Sequence, residues 1–170
     1  MRRGRDDASV AVVPSDPTIA PVTTPDDLAA IRALFQAYAD GLAVDLAYQD
    51  FATELAGLPG KYAAPHGALL LARDAAGQAL GCVALRPLGD GLCEMKRLYV
   101  APAARGIGLG AALMQAIIVT ARRRGYRAMR LDTLADMAAA QAMYAAAGFS
   151  RIAPYYDGAA AGTIFLELVL

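Results

Sequence analysis

The sequence predicts an α/β protein of the mixed α+β kind, with a mostly antiparallel central sheet of six to seven strands flanked by about four helices. Three short apolar segments between residues 68 and 100 are joined by turns, which indicates an antiparallel meander. A helical pattern then separates the strand-like segments Cys93–Val100 and Met129–Leu131, and a strand–helix–strand unit of this kind makes its two strands parallel. The 170 residues suit one domain, predicted at residues 18–170 after an N-terminal tail of residues 1–17.

The first half of this domain is predicted to hold two helices and the meander. Pro25–Asp27 has the composition of a helix start, and apolar residues at spacings of three and four extend this helix to about Gly41. A second, shorter helix is predicted over residues 47–58. The strands of the meander are Ala68–Ala72, Leu80–Leu85 and Cys93–Val100, and Asp90-Gly91 is a hairpin turn.

The second half is predicted to alternate helices and strands. Leu109–Arg124 has one apolar face, and Gly125 follows it as a typical helix-ending residue. The remaining predicted elements are the strand Met129–Leu131, the alanine-rich helix Ala135–Ala147, and the strands Phe149–Ile152 and Thr163–Val169.

The composition argues against several classes of protein. Lys plus Arg and Asp plus Glu both number 16, so no general attraction to nucleic acid or to an acidic membrane surface is expected. No run of about 18 apolar residues exists, so no transmembrane helix is expected. Cys82 and Cys93 are too few for a disulfide framework and favour a cytoplasmic setting. The lone His66 lacks clustered partners, so no metal site is expected.

A glycine-rich turn between a strand and a helix is the most informative segment, and it reads Arg105-Gly106-Ile107-Gly108-Leu109-Gly110. Backbone N–H groups at a helix N-terminus lack partners and carry partial positive charge, and glycines let a phosphate approach them. The arginine would add a charged donor. The turn therefore predicts a phosphate or pyrophosphate site, unless the glycines serve only a tight connection. The residues of this predicted site are Arg105, Gly106, Gly108, Leu109 and Gly110.

A dinucleotide is one ligand that the spacing allows. Gly106-x-Gly108-x-x-Ala111 matches a dinucleotide fingerprint, and Asp132 lies near the distance expected for a ribose contact. However, residues 101–105 separate the glycines from the strand, and the chain has no second strand–helix–strand half. A dinucleotide-binding oxidoreductase therefore stays as the less favoured alternative.

Two motifs carry a resemblance to a known family. Arg105-x-x-Gly108-x-Gly110 opens one predicted helix, and Tyr144-x-x-x-Gly148-Phe149 closes the next. Together they resemble the GNAT superfamily of N-acetyltransferases, whose patterns are Arg/Gln-x-x-Gly-x-Gly/Ala and Leu-Tyr-x-x-x-Gly-Phe. The resemblance covers about residues 18–170 and includes the order of elements. Met137 stands where many members have Asn, so a polar contact to the pantetheine arm is either missing or supplied elsewhere.

The resemblance implies acetyl-CoA as cosubstrate and a primary amine as acceptor, which would be a small amine, an amino acid or a peptide amine that attacks the thioester directly. In this family the sheet splays open beside the third strand of the meander. Backbone groups of Leu98 and Val100 would pair with the pantetheine arm, and a bulge there would free an N–H for the thioester oxygen. Tyr144 matches the position that donates to the leaving thiolate, because a phenol stays protonated at neutral pH. A CoA-binding sensor without turnover is the alternative on the same scaffold.

Glu94 is the predicted general base, because an acidic side chain is unusual on a central strand and so indicates a specific role. A partly buried carboxylate would have a raised pKa, which suits a base. Alternation along the strand would place Glu94 and Lys96 on one face and Arg97 on the other. An ion pair of Glu94 with Lys96, Arg97 or Arg86 is an equally good interpretation, and water could carry the proton instead.

The acceptor pocket of the family lies beside the first two helices and the nearby loops. The residues of this chain that fall there are Tyr38, Phe51, Lys61, Tyr62 and Tyr155. Lys61 could meet a carboxylate on the acceptor, whereas the aromatic side chains are also consistent with ordinary packing. The sequence does not identify the acceptor, and it leaves open a homodimer formed through the C-terminal strands.

Overall fold

The computed structural model describes residues 16–170 and confirms the mixed α/β architecture. These residues form a seven-stranded open sheet with four α-helices. The predicted tail lies outside the described residues, except for Asp16 and Pro17. No helix of the described region is long and apolar enough to cross a membrane.

The strands are β1 (Thr18–Pro21), β2 (Ala68–Arg73), β3 (Ala79–Gly89), β4 (Leu92–Val100), β5 (Ala128–Leu134), β6 (Ser150–Arg151) and β7 (Thr163–Val169). The helices are α1 (Pro25–Asp40), α2 (Phe51–Ala56), α3 (Leu109–Arg123) and α4 (Ala138–Ala146). Across the sheet the order is β1-β2-β3-β4-β5-β7-β6, and every neighbouring pair is antiparallel except β4 with β5.

The N-terminal region differs from the prediction at two points. The sequence does not predict β1, because four residues ending in proline carry too little periodicity, yet β1 pairs with β2 at the sheet edge. The predicted second helix is interrupted: Leu46–Gln49 is a 3-10 helix, and α2 begins only at Phe51 because Asp50 has a left-handed φ of 56°. The Gln49 side chain then lies against β4, where its Oε1 accepts a hydrogen bond from Lys96 Nζ at 3.1 Å.

The predicted meander and its hairpin turn are confirmed. β2, β3 and β4 pair antiparallel in sequence order. Asp90 and Gly91 link β3 to β4 with positive φ angles of 51° and 73°, as a two-residue type I′ turn requires. The parallel pairing is also confirmed, but only Leu92, Cys93 and Glu94 of β4 are in register with β5. Beyond Glu94 the two strands separate.

A β-bulge in β4 corrects the predicted alternation of faces. Arg97 and Leu98 of β4 together oppose the single residue Val83 of β3, and Arg97 has a left-handed φ of 57°. Lys96 and Arg97 therefore project to the same side of the sheet, where both donate to Gln49 Oε1. The expectation that Arg97 lies on the face opposite Lys96 is wrong, because the bulge adds one residue to the count.

Two apolar clusters cover the two faces of the sheet. One packs against α3 and includes the fully buried Leu113, Ile117 and Met129. The other packs against α1 and includes the fully buried Ile31 and Phe35. Burial of each such side chain contributes about 1.5–3 kcal/mol. β4 runs between these two layers, and its charged side chains Glu94, Lys96 and Arg97 are buried.

Candidate active site

The separation of β4 and β5 opens a cleft in the middle of the sheet, which we term the β4–β5 cleft. The space between its walls, with the adjoining open solvent included, is about 580 Å³. It brings together three residues that the sequence predicts for the site, namely Tyr38 of α1, Leu98 of β4 and Tyr144 of α4. Further lining residues include Leu42, Val44, Gln49, Lys96, Asp132, Thr133 and Met137.

The glycine-rich turn leads into α3 and leaves open space above its backbone. Gly106 and Gly108 have φ angles of 83° and 81°, which residues with a side chain adopt only at a cost. A Cβ atom at either position would meet no described atom within 4 Å. Ala112 N donates to Gly108 O at 3.1 Å, so the N–H groups of residues 109–111 precede this first bond of the helix. These groups and the space above them fit a diphosphate.

Gly110 and Arg105 connect this turn with the end of β4. A Cβ atom at Gly110 would lie 3.7 Å from Val100 Cγ2 and 3.7 Å from Met143 Sδ, which is ordinary contact. Arg105 Nε donates to the Val100 carbonyl at 3.0 Å, and its guanidinium lies 5.7 Å from the centroid of the Tyr99 ring. Arg105 is therefore held beside the turn. The Val100 carbonyl, which the resemblance assigns to pantetheine, keeps a second lone pair.

Tyr144 forms part of the inner wall of the β4–β5 cleft and is buried. Its ring packs edge to face against Phe149, with the centroids 5.8 Å apart. Burial raises the pKa of the Tyr144 hydroxyl above its ordinary value, and the nearby Tyr38 and Asp132 add to this effect. The hydroxyl is therefore protonated at neutral pH and can act as a hydrogen-bond donor.

Glu94 is fully buried, and both of its carboxylate oxygens are engaged. Oε1 accepts from Arg86 Nε at 2.8 Å and lies 3.5 Å from Lys96 Nζ, and Oε2 accepts from the Tyr155 hydroxyl at 2.6 Å. Burial alone raises the pKa of Glu94, but Lys96, Arg86 and the hydrogen bonds outweigh it, so the pKa lies below its ordinary value. The expected rise in pKa is wrong, and the ion pairs with Arg86 and Lys96 are confirmed. A base role for Glu94 stays a prediction, and neither oxygen is open to a substrate.

Gln49 joins the charged groups of β4 to the cleft. Its Oε1 accepts from Lys96 Nζ at 3.1 Å and from Arg97 Nη1 at 2.9 Å, and its Nε2 donates to Asp132 Oδ2 at 3.3 Å. Arg97 also pairs with Glu54, with Nε–Oε2 and Nη2–Oε1 distances of 2.9 Å and 3.2 Å. Desolvation lowers the pKa of the buried Lys96 below its ordinary value. Within residues 16–170, no group of three or more His, Cys, Asp and Glu side chains could hold a metal ion.

A second cleft shares Gln49 and Lys96 with the first and lies beside α2, so we term it the α2 cleft. The space between its walls, with the adjoining open solvent included, is about 1250 Å³. The other lining residues are Asp50, Thr53, Glu54, Gly57, Pro59, Gly60, Lys61, Tyr62, Arg86 and Tyr156. Because two side chains line both clefts, a molecule in the α2 cleft lies next to groups of the β4–β5 cleft.

The residues predicted for the acceptor pocket divide between the clefts and the core. Tyr38 lines the β4–β5 cleft, and Lys61 and Tyr62 line the α2 cleft. Phe51 is buried with a guanidinium carbon 5.1 Å from its ring centroid, and the Tyr155 hydroxyl belongs to the ion-pair network. Neither of these two is among the described residues that line the clefts, so the packing interpretation applies to Phe51 and Tyr155.

Sequence reasoning missed Gln49 and considered Asp132 only as a ribose ligand. Gln49 gave no signal, because a continuous helix was predicted through it and its contact with β4 depends on the break at Asp50. Asp132 did give a signal. It is an acidic residue on a strand where Leu131 is 1% exposed, which is the same argument that drew attention to Glu94.

A splayed mixed sheet, an open glycine turn before a helix and a tyrosine that lines the gap define a class, the acyltransferases of the GNAT type. Residues 28–149 match the family model of the acetyltransferase (GNAT) family. This match covers well over half of the chain, so the protein belongs to that family and is an acetyltransferase.

Similar proteins agree with this assignment. An uncharacterized N-acetyltransferase of Schizosaccharomyces pombe is 42% identical over 156 residues, which are 91% of this chain and 96% of the relative. An aminoglycoside N(6′)-acetyltransferase type 1 of Klebsiella aerogenes is 32% identical over 147 residues, which are 82% of this chain and 93% of the relative. The solved structure of a Salmonella typhimurium protein, assigned as an acetyltransferase and bound to its cofactor acetyl-CoA, aligns with a TM-score of 0.66 and 26% identity, over 91% of this chain and 94% of that chain.

Proposed function

We propose that the protein transfers the acetyl group of acetyl-CoA to the nitrogen of a primary amine, by direct attack of the amine on the thioester. The observation that carries this proposal is the position of Tyr144. The Tyr144 side chain is largely buried and lines the β4–β5 cleft, and the preceding residue, Met143, packs beside Gly110 of the open turn. Met143 and Tyr144 of α4 thus connect the proposed diphosphate turn with a hydrogen-bond donor in the cleft, and the pantetheine arm would span the distance between the diphosphate and the thioester.

The glycine-rich turn is the proposed binding site for the diphosphate. The backbone N–H groups of Leu109 and Gly110 lie before the first bond of α3 and would donate to the phosphate oxygens. Gly106 and Gly108 leave the space for close approach, and the Arg105 guanidinium supplies a positive charge beside it.

The separated end of β4 is the proposed binding site for the pantetheine arm. Leu98 and Val100 lie beyond the last residue of β4 that pairs with β5, so their backbone groups are candidates to pair with the arm. The bulge at Arg97 and Leu98 disrupts the ladder with β3, which supports an oxyanion role for a backbone N–H at this point. Met137 lines the same cleft with a thioether, which is a weak acceptor, so it supplies mainly apolar contact.

The transfer forms one C–N bond and breaks the C–S bond of the thioester. The attacking nitrogen must be neutral, so an ammonium acceptor first gives one proton to water, and it loses a second proton as the amide forms. Sulfur leaves as a thiolate and takes up a proton from solvent, so one proton is released in total. Because a thiol has a pKa of about 8.5 and burial raises that of Tyr144 above its ordinary value, Tyr144 stabilises the thiolate by a hydrogen bond rather than by complete proton transfer.

The test combines ligand binding with turnover. We expect CoA to raise the thermal midpoint more than NAD does, because a ligand at about 100 times its Kd adds about 2.7 kcal/mol to stability. We also expect thiol release from acetyl-CoA to require a primary amine and to yield its acetylated product by mass spectrometry. Binding of CoA without transfer to any amine would indicate a sensor instead, and stronger stabilisation by NAD would contradict both functions.

A further inference from the structure

We propose that the α2 cleft is the acceptor site and that it selects primary amines that also carry a carboxylate, such as free amino acids. This inference rests on the acetyl transfer proposed above. In the proposed arrangement, Arg86 and Lys61 bind the carboxylate, and Asp132 meets the ammonium group where the two clefts adjoin.

The first observation concerns the guanidinium of Arg86. Its Nε is held by Glu94 Oε1 at 2.8 Å, and its side chain is 25% exposed and lines the α2 cleft. Among the described residues, its two terminal nitrogens have no hydrogen-bond partner. A guanidinium anchored at one nitrogen presents the others in fixed geometry, which suits a carboxylate. Lys61, exposed in the same cleft, has no ion-pair partner within the described part of the chain.

Neither of the described acidic groups that line the α2 cleft forms an ion pair with Arg86 or Lys61. Glu54 is fully engaged, because Oε1 accepts from the Tyr62 hydroxyl at 2.6 Å and Oε2 accepts from Arg97 Nε at 2.9 Å. Asp50 is exposed, and its Oδ1 accepts from Thr53 Oγ1 at 2.9 Å. Lys61 and the two terminal nitrogens of Arg86, whose Nε pairs with Glu94, therefore remain available to bind an anionic group of the acceptor.

A second observation concerns Asp132, which would bind the ammonium group of the acceptor. Its Oδ2 accepts from Gln49 Nε2 at 3.3 Å and from the Tyr156 hydroxyl. Asp132 lines the β4–β5 cleft, whereas Gln49 and Tyr156 line the α2 cleft. Its Oδ1 makes none of the described hydrogen bonds, so this carboxylate can receive an ammonium group that enters from the α2 cleft. Tyr144, the proposed thiolate partner, lines the same β4–β5 cleft.

The charge pattern also predicts which amines are poor acceptors. An amine that carries further positive charges would place them beside Arg86 and Lys61, where like charges repel. An aminoglycoside, the substrate named for the Klebsiella aerogenes relative, is such an amine. We therefore expect this chain to prefer a free amino acid over kanamycin.

The first test compares the proteinogenic amino acids with their carboxamides and with kanamycin, measured as kcat/KM with acetyl-CoA at neutral pH. Loss of one charge-assisted contact predicts about a tenfold or larger drop for each carboxamide. The amine of a carboxamide has a lower pKa, which works in the opposite direction and makes the comparison conservative. Equal values for acid and carboxamide, or a preference for kanamycin, would overturn the inference.

The second test assigns the two ends of the acceptor. Lys61→Glu is expected to raise KM for the amino acid about tenfold and to leave the carboxamide nearly unchanged. Arg123→Glu, an equal charge change at an exposed site in the last turn of α3, is the matched control and should leave both substrates unchanged. Arg86→Lys keeps a cation beside Glu94 and should weaken the acid preference, whereas Asp132→Asn should raise KM for acid and carboxamide alike. An unaltered acid preference in both Lys61→Glu and Arg86→Lys would contradict the proposed carboxylate site.

Failure of this inference is separable from failure of the proposed function. Transfer of acetyl to amines without regard to a carboxylate would remove the acceptor assignment and leave the acetyltransferase intact. Absence of transfer to every amine, with CoA still raising the thermal midpoint, would remove both.

Discussion

The glycine-rich turn and the charged network between the two clefts are built in opposite ways. The turn consists of backbone N–H groups and empty space, with positive φ angles at Gly106 and Gly108. The network consists of side chains that hold one another, with Gln49, Glu94 and Lys96 at its centre. Among the described residues, no buried side-chain nitrogen or oxygen lacks a hydrogen-bond partner.

This difference decides what a substitution does at each place. A site formed by backbone groups requires that no side chain fills it, so an added side chain prevents ligand binding while the fold persists. A network of paired buried charges depends on the presence of every member, so removal of one leaves its partner uncompensated and costs folding stability first. The four substitutions below test this contrast, from the largest expected effect to the smallest.

Gly108→Glu should weaken CoA binding by about 1,000-fold, because a carboxylate then occupies the proposed diphosphate site at a helix N-terminus. Isothermal titration with CoA measures this effect. Gly77→Glu is the matched control, since Gly77 has a similar φ of 84° and no described atom within 4 Å of a Cβ. Both variants should lose similar folding stability, and only the first should lose CoA. An unchanged Kd of Gly108→Glu for CoA would contradict the proposal that the open turn binds the diphosphate.

Glu94→Gln should lower the free energy of unfolding by about 3 kcal/mol, because Arg86 and Lys96 lose their buried counter-ion. Denaturant titration at neutral pH measures this change. Glu167→Gln removes a partly exposed ion pair with Arg130 and should cost less than about 1 kcal/mol. Equal losses of unfolding free energy in the two variants would show that burial of the network does not increase the cost of removing a charge.

Glu94 should also make stability depend on pH. Because folding lowers the pKa of Glu94 from its ordinary 4.5, this stabilisation is present above 4.5 and is lost as pH falls through the lower folded value. The wild-type free energy of unfolding should therefore fall more steeply below about pH 4.5 than that of Glu94→Gln. Parallel pH profiles for the two proteins would contradict the lowered pKa.

Tyr144→Phe should lower kcat about 30-fold and leave the Kd for CoA within about twofold, because the role proposed for the hydroxyl is to stabilise the leaving sulfur and not to bind the diphosphate. Steady-state kinetics and titration with CoA separate these two parameters. Tyr126→Phe removes an exposed hydroxyl that donates to the His66 carbonyl, and it should change neither. Full activity of Tyr144→Phe would remove the role assigned to this hydroxyl.

Gly110→Ala tests whether a side chain at Gly110 disturbs CoA binding as strongly as one at Gly108. A Cβ atom there meets Val100 and Met143 at 3.7 Å, and Gly110 does not have a positive φ. We expect the Kd for CoA to change by less than about threefold and stability to be equal or slightly higher, since alanine is the better helix former. A large loss of binding would show that Gly110 approaches the ligand as closely as Gly108.

The sequence predicted those parts of the fold that have local causes. Apolar periodicity predicted the meander, α3 and the parallel β4–β5 pair, and the glycines predicted the turn because they report backbone conformation directly. The break at Asp50 was not predicted, and a bulge near Leu98 was expected only from the family resemblance, because Asp50 and Arg97 are non-glycine residues whose positive φ the surrounding fold imposes. The position of Gln49 between the clefts depends on both, so the contacts of Gln49 had no signal in the sequence, whereas the ion pairs of Glu94 did.

The central claim is that the open turn before α3 binds the diphosphate of acetyl-CoA, and backbone amide NMR tests it most directly. Titration with acetyl-CoA should shift the amide signals of residues 106–111 most strongly, and S-acetylpantetheine, which lacks the diphosphate, should leave them nearly unchanged. Unshifted signals for these residues at saturating acetyl-CoA, or equal shifts with S-acetylpantetheine, would contradict the account.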